Sequence, residues 1–201
     1  GNVRWSPDGS KFSFVSSRGD HAFIGVYDVA SRTVKFLAPS VDTDGAQVWS
    51  ADGTRIAFIR RPADSELYLF LAQRTGRPWS IMVADVATGT ARAVWTADDG
   101  DGSVPRGIVG RDQLLWGDGD HLVFPWEKDG WTHLYSLSLS GGRPVRLTPG
   151  DGEVEYVALS RDRREVIYNS NQGDIDRRHL WRVPVRGGAP QPVTRGDGIE
   201  W

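Results

Sequence analysis

The chain has no cysteine and a single methionine among its 201 residues. Without cysteine there is no disulfide staple, no thiolate nucleophile and no thiolate metal ligand. No apolar run approaches the roughly 20 residues that a membrane-spanning helix needs. No segment of ten or more residues carries a 3.6-residue apolar stripe, which argues against helices. Neither sign of charge dominates: 24 Lys and Arg face 26 Asp and Glu, for a formal net charge of −2. So even a balance makes nucleic acid and anionic membrane poor default partners. The start, GNVRW, has neither the basic residues nor the apolar stretch of a targeting segment.

Glycine and tryptophan are plentiful, at 24 and nine residues. Many glycines imply many turns, and many large aromatics imply small packing units that need bulky filling. A repeat connects the two. VRWSPDGSKFSFVSS (3–17) is echoed by QVWSADGTRIAFIRR (47–61), LLWGDGDHLVFPWEK (114–128) and VALSRDRREVIYNSN (157–171), and GIEW (198–201) begins a fifth copy. The marker positions Trp5, Trp49, Trp116, Leu159 and Trp201 lie 44, 67, 43 and 42 residues apart. Three of these four intervals match the period of a four-stranded propeller blade, about 40–45 residues. Each unit continues with a third alternating strand, AFIGVYDV (22–29), SIMVADV (80–86), THLYSLSL (132–139) or HLWRVPV (179–185). A small turn and a short last strand then close it.

The pattern predicts an all-β fold of four WD40- or TolB-like blades, an open piece of a larger seven- or eight-bladed propeller. The expected blades are 1–44, 45–110 with an insertion at 62–78, 111–153 and 154–198, with 199–201 starting the next. A blade cannot bury both faces alone, so each copy needs the same tryptophan wedge and the same tight turn. The faces of the first and fourth blades are expected to expose apolar side chains and to drive self-association. Within the insertion, LYLFLA (67–72) is apolar on both strand faces and is expected to dock beyond its own blade.

EKDGWTHLY (127–135), LTPGDGEVEYV (147–157), IYNSNQGDIDRRHLW (167–181) and the Gly-Gly turns stand in a specific order and spacing. They resemble the N-terminal propeller domain of the dipeptidyl peptidase IV group, in the prolyl oligopeptidase class of serine peptidases. The resemblance covers about the last 80 residues; the first 100 look like propeller repeats in general. It implies a hydrolase parent in which the propeller lies over an α/β-hydrolase domain, restricts entry to oligopeptides and helps bind the substrate N-terminus. In that group a glutamate pair on a short helical insert holds the free α-amine. No such insert is present here, and that role is not carried onto Glu153 and Glu155.

No glycine is followed two places later by serine, so the Gly-x-Ser-x-Gly elbow of an α/β-hydrolase is absent from these residues. No catalytic residue is therefore expected in this chain, and no cofactor or metal. Glu153 and Glu155 alternate by two, which would put both carboxylates on one side of a strand, for an amine or a cation. A structural tie to Arg177 or Arg178 is the alternative. Asp174, Asp176, Arg177 and Arg178 crowd one loop, where an arginine could bind a peptide carbonyl or carboxylate or simply fix the loop. The candidate substrate-binding residues are thus Glu153, Glu155, Arg177 and Arg178. DDGDGS (98–103) lacks the closing glutamate of a calcium loop. His133 and His179 occupy matching places in two units, which points to a repeated packing or hydrogen-bonding role. The expected partners are peptide substrates and a C-terminal hydrolase domain. The alternatives are a stand-alone TolB-like protein-binding propeller, or a glycan-cleaving one whose carboxylates would have to meet from separate blades.

Overall fold

The computed structural model describes residues 3–63 and 74–199. LYLFLA (67–72) and Trp201 lie outside the described residues. Every regular element described is a β-strand. The chain divides into two compact units, residues 1–105 and 106–201.

The first unit holds β1 (Arg4–Trp5), β2 (Lys11–Ser17), β3 (Ala22–Asp28) and β4 (Thr33–Phe36), then β5 (Thr43–Trp49), β6 (Arg55–Arg61), β7 (Ser80–Asp85) and β8 (Ala91–Thr96). Each four form an antiparallel meander, and one parallel bridge, Ala22 to Thr43, joins them. The register places Ser13, Val15, Ile24 and Val26 on one face of the first meander, and Phe12, Phe14, Phe23 and Tyr27 on the other. Ile24 and Val26 are buried with Trp49, Ile56, Phe58, Met82 and Ala84 of the second meander. This contact between two alternating faces is what the hydrophobic period of two dictates.

The second unit repeats the plan with β9 (Leu115–Gly117), β10 (His121–Glu127), β11 (Thr132–Ser138), β12 (Val145–Arg146), β13 (Val154–Leu159), β14 (Glu165–Ser170), β15 (His179–Pro184) and β16 (Gln191–Pro192). Leu115, Val123, Leu134 and Leu147 from its first meander share a core with Val154, Val166, Tyr168 and Val183 from its second. Four meanders of four strands, paired face to face, are the blades of a β-propeller. The outermost strands β12 and β16 shrink to two residues each, and short edges resist pairing with other chains.

The repeated turns follow one chemistry. The Ser6 hydroxyl donates to Asp8 at 2.6 Å and accepts the Lys11 amide at 3.0 Å. Ser50 does the same with Asp52 and Arg55, at 2.6 and 3.0 Å. Ser160 repeats it with Asp162 and Glu165, at 2.7 and 3.0 Å. The fourth turn position has φ of +71° at Gly9, +70° at Gly53 and +60° at Arg163. Glycine takes this left-handed conformation freely, whereas a side chain makes it strained.

The tryptophan wedges are not equivalent. Trp49 and Trp116 are 4% and 3% exposed, and the Trp49 indole donates to the Arg4 carbonyl at 3.0 Å. Trp5 is 59% exposed, because it lies with the aromatic face of the first meander rather than the shared one. It packs edge-on against Phe12, which stacks on Tyr27 with centroids 5.0 Å apart.

Candidate functional site

The four candidate side chains lie near one end of the last meander, where the approach to β13 meets the loop between β14 and β15. Glu153 precedes β13 and is exposed. Its amide donates to Asn171 Oδ1 at 2.8 Å. Glu155 is inside the strand, but the ladder shifts register between Val154 and Val157. A bulge re-aims the side chains around it, and the two glutamates differ in setting, Glu153 exposed and Glu155 half-buried. Asn169 holds the bulge: its Oδ1 accepts the Tyr156 amide at 2.8 Å and the Glu155 amide at 3.3 Å.

Glu155 and Arg178 come together. Arg178 Nη2 donates to Glu155 Oε1 at 2.8 Å, with the two side chains 26% and 16% exposed. The second carboxylate oxygen, Oε2, is buried without a hydrogen bond. Arg177 turns elsewhere. It donates to Asp174 at 2.9 Å and approaches Asp197 at 4.0 Å. That hydrogen bond, and then the Asp176 amide, hold the Asp174 carboxyl below its ordinary range. The structure thus forms the tie between Glu155 and Arg178, while Glu153 and Arg177 stand apart from it.

Sequence reasoning missed the asparagines. Asn169 and Asn171 are 1% and 7% exposed, and they tie the entrance of β13 to the end of β14. The signal was the run Asn169-Ser170-Asn171 closing an apolar strand, where buried polar groups must find partners. The residue after each matching histidine donates its amide to a threonine hydroxyl. His133 Nδ1 lies 3.0 Å from the Thr148 hydroxyl, which also accepts the Leu134 amide at 3.1 Å. One meander later, Thr194 accepts the Leu180 amide at 2.9 Å. Burial pushes the His133 pKa down, favouring the neutral ring.

Other charged groups are committed to structure. Asp44 is buried and takes two bonds from Arg60, at 2.7 and 2.8 Å, while Arg60 also donates to the Ala38 carbonyl. Burial raises the Asp44 pKa and the guanidinium opposes that rise. Glu127 accepts from Arg106 at 2.9 Å. A cavity of about 440 Å³ in the first unit is lined by Lys11, Asp28, Lys35 and Asp85. There Lys11 pairs with Asp28 at 2.9 Å, Lys35 donates to the Ala87 carbonyl, and Asp85 accepts the Thr88 amide. Among the described residues no three His, Asp or Glu side chains gather as a metal site. The described groups can accept and donate hydrogen bonds to a bound chain.

Residues 61–200 match the family model of the dipeptidyl peptidase IV (DPP IV) N-terminal region. A curated relative, "Probable dipeptidyl peptidase 4" of Emericella nidulans, is 34% identical over 115 residues. The match covers 53% of this chain and 15% of that protein. Among solved structures, one assigned as TolB from Agrobacterium tumefaciens superposes with a TM-score of 0.64 at 22% identity, covering 99% of this chain and 63% of that one. An oligogalacturonate lyase superposes with a TM-score of 0.74 at 15% identity, covering 96% and 52%. Two such different proteins at so low an identity share the fold alone. The family model carries the assignment: it spans well over half of the sequence, and this chain belongs to the dipeptidyl peptidase IV N-terminal region family.

Proposed function

We propose that the chain is a non-catalytic propeller segment of a larger serine peptidase, gating and orienting peptide substrates for an α/β-hydrolase domain outside these residues. The observation that carries this reading is the family match over 61–200 in a chain without a Gly-x-Ser-x-Gly elbow. The chain spans 15% of the curated relative's length, which leaves ample room for a hydrolase domain. Peptide substrates meet Glu155 and Arg178 first, with Glu153 and Arg177 flanking them. The Glu155–Arg178 pair is net neutral. It therefore suits the dipoles of a peptide main chain better than a free charge, with the guanidinium toward a carbonyl.

The test is kinetic and uses the full-length peptidase. Arg178→Gln should raise KM for oligopeptides several-fold with kcat little changed, the signature of lost substrate binding. Unchanged KM for peptides of every length would remove the substrate role from this cluster. If the full-length protein cleaves no peptide at all, the stand-alone binding propeller takes the place of the peptidase reading.

A further inference from the structure

A buried histidine in the second unit is held in a way that acid can undo. His133 in β11 and Thr148 beside it are each 1% exposed. The histidine Nε2 is buried without a hydrogen bond, 3.6 Å from Asp129 Oδ1. That carboxylate favours the ring proton on Nε2, so Nδ1 is the acceptor and the Thr148 hydroxyl donates to it at 3.0 Å. The Thr148 oxygen in turn accepts the Leu134 amide at 3.1 Å. The Leu147 amide donates to the Leu134 carbonyl at 2.8 Å. These bonds fasten the stretch that leaves the two-residue β12 and runs to β13, the strand that carries Glu155. The last meander repeats the fastening in a different setting. Val193 and Thr194 bond Leu180 as Leu147 and Thr148 bond Leu134. His179, however, is only partly buried, and Ile175 stands four places before it, where Asp129 stands before His133.

Protonation sets two donors against each other. Once Nδ1 takes a proton it can no longer accept from Thr148. The Thr148 hydroxyl then loses its acceptor inside the fold, which is unfavourable for a buried donor. The new positive charge is drawn instead to Asp129, whose side chain is 46% exposed. Burial is the largest influence on the ring and favours its neutral form; Asp129, in the turn before β11, opposes it, Arg146 on β12 supports it, and Asp151, before β13, opposes it. Arg146 also bonds Asp129 at 3.0 Å. On β10, Glu127 accepts from Arg106, and Lys128 follows it and lies over the Trp126 ring. The stability that the neutral ring contributes is therefore complete above the ordinary histidine value of about 6.5 and is lost as pH falls below it, through the ring's own lowered value. We propose that Asp129, His133 and Thr148 form an acid-released latch: a proton on His133 turns the ring from Thr148 toward Asp129 and frees the stretch between β12 and β13, while the ladder of β10 and β11 stays paired.

The test is NMR on the chain as it stands, from about pH 7.5 down to about pH 4.5, the range in which histidine changes charge. The His133 Hε1 signal reads the titration of the ring. Native-state hydrogen exchange, corrected for its intrinsic pH dependence, reads each amide. Leu134 should lose at least about tenfold in protection across the His133 titration, while Leu180 and the amides of the β10–β11 ladder change less than about twofold. Asp129→Asn, a partly exposed site that the fold can spare, removes the carboxylate that attracts the charged ring. It should move the midpoints of His133 and Leu134 together to lower pH, by about half a unit. Thr148→Val deletes the latch, so Leu134 should already be poorly protected at neutral pH and should no longer follow His133. The proposal is overturned if Leu134 keeps its protection through the His133 titration, if Leu180 or the ladder is lost along with it, or if His133 does not titrate in this range. Unmoved midpoints in Asp129→Asn, or an acid-dependent Leu134 in Thr148→Val, overturn it too.

Discussion

At the scale of single residues, the fold depends on one small device used three times: a serine hydroxyl that bonds an aspartate two places on and an amide five places on. Its third copy puts Arg163 where glycine stands in the others, at φ +60°. Arg163→Gly should therefore stabilise the protein by about 0.5–1 kcal/mol, since it relieves a left-handed side chain. The denaturant midpoint should rise, and a fall would mean that the arginine makes contacts worth more than its strain. The same device answers to acid. The Ser50 hydroxyl, and then the Thr54 amide, hold the Asp52 carboxyl down to about 2. Between that value and the ordinary aspartate range near 4, the unfolded chain binds more protons than the fold, so stability falls as pH falls through this window. Because Asp52 is exposed, the slope is shallow. Ser50→Ala should cost about 1–2 kcal/mol at neutral pH, by leaving the Arg55 amide unsatisfied. It should also flatten the acid limb of a stability-against-pH curve.

At the scale of elements, the bulge in β13 and its anchor in β14 decide where the candidate site stands. Asn169→Ala strips the acceptor from the Glu155 and Tyr156 amides and should cost about 2–3 kcal/mol by equilibrium unfolding. A cost below about 0.5 kcal/mol would show that the bulge is held without it. For the ion pair, Arg178→Gln should cost about 1–2 kcal/mol, because a half-buried Glu155 loses its cation. Adding Glu155→Gln should recover part of that loss in a double-mutant cycle. Legibility differed between these elements for physical reasons. The strands and turns were readable because a two-residue apolar period and Ser-x-Asp-Gly chemistry are local. The placement of Glu153 and Glu155 was not, because it depends on Asn169 reaching across from the next strand, a contact that no spacing within the sequence encodes. The last strands were legible as short ones, and β12 and β16 pair over only two residues.

At the scale of the whole molecule, the face of the first meander carries Trp5 and Val34 at 59% and 50% exposure beside Phe12, Phe14 and Tyr27. An apolar patch of this kind favours association. Light scattering over a dilution series should show a mass that rises with concentration, and Trp5→Ser should reduce that rise. A strictly monomeric chain at high concentration would remove the patch as an association surface. The central claim is that substrate handling lives in this chain while peptide hydrolysis lives outside it. Fluorophosphonate labelling of the full-length protein, read by intact mass and peptide mapping, tests it most directly. The account predicts one adduct on a serine outside residues 1–201 and none on the isolated chain; a stoichiometric adduct on any serine within these residues would contradict it.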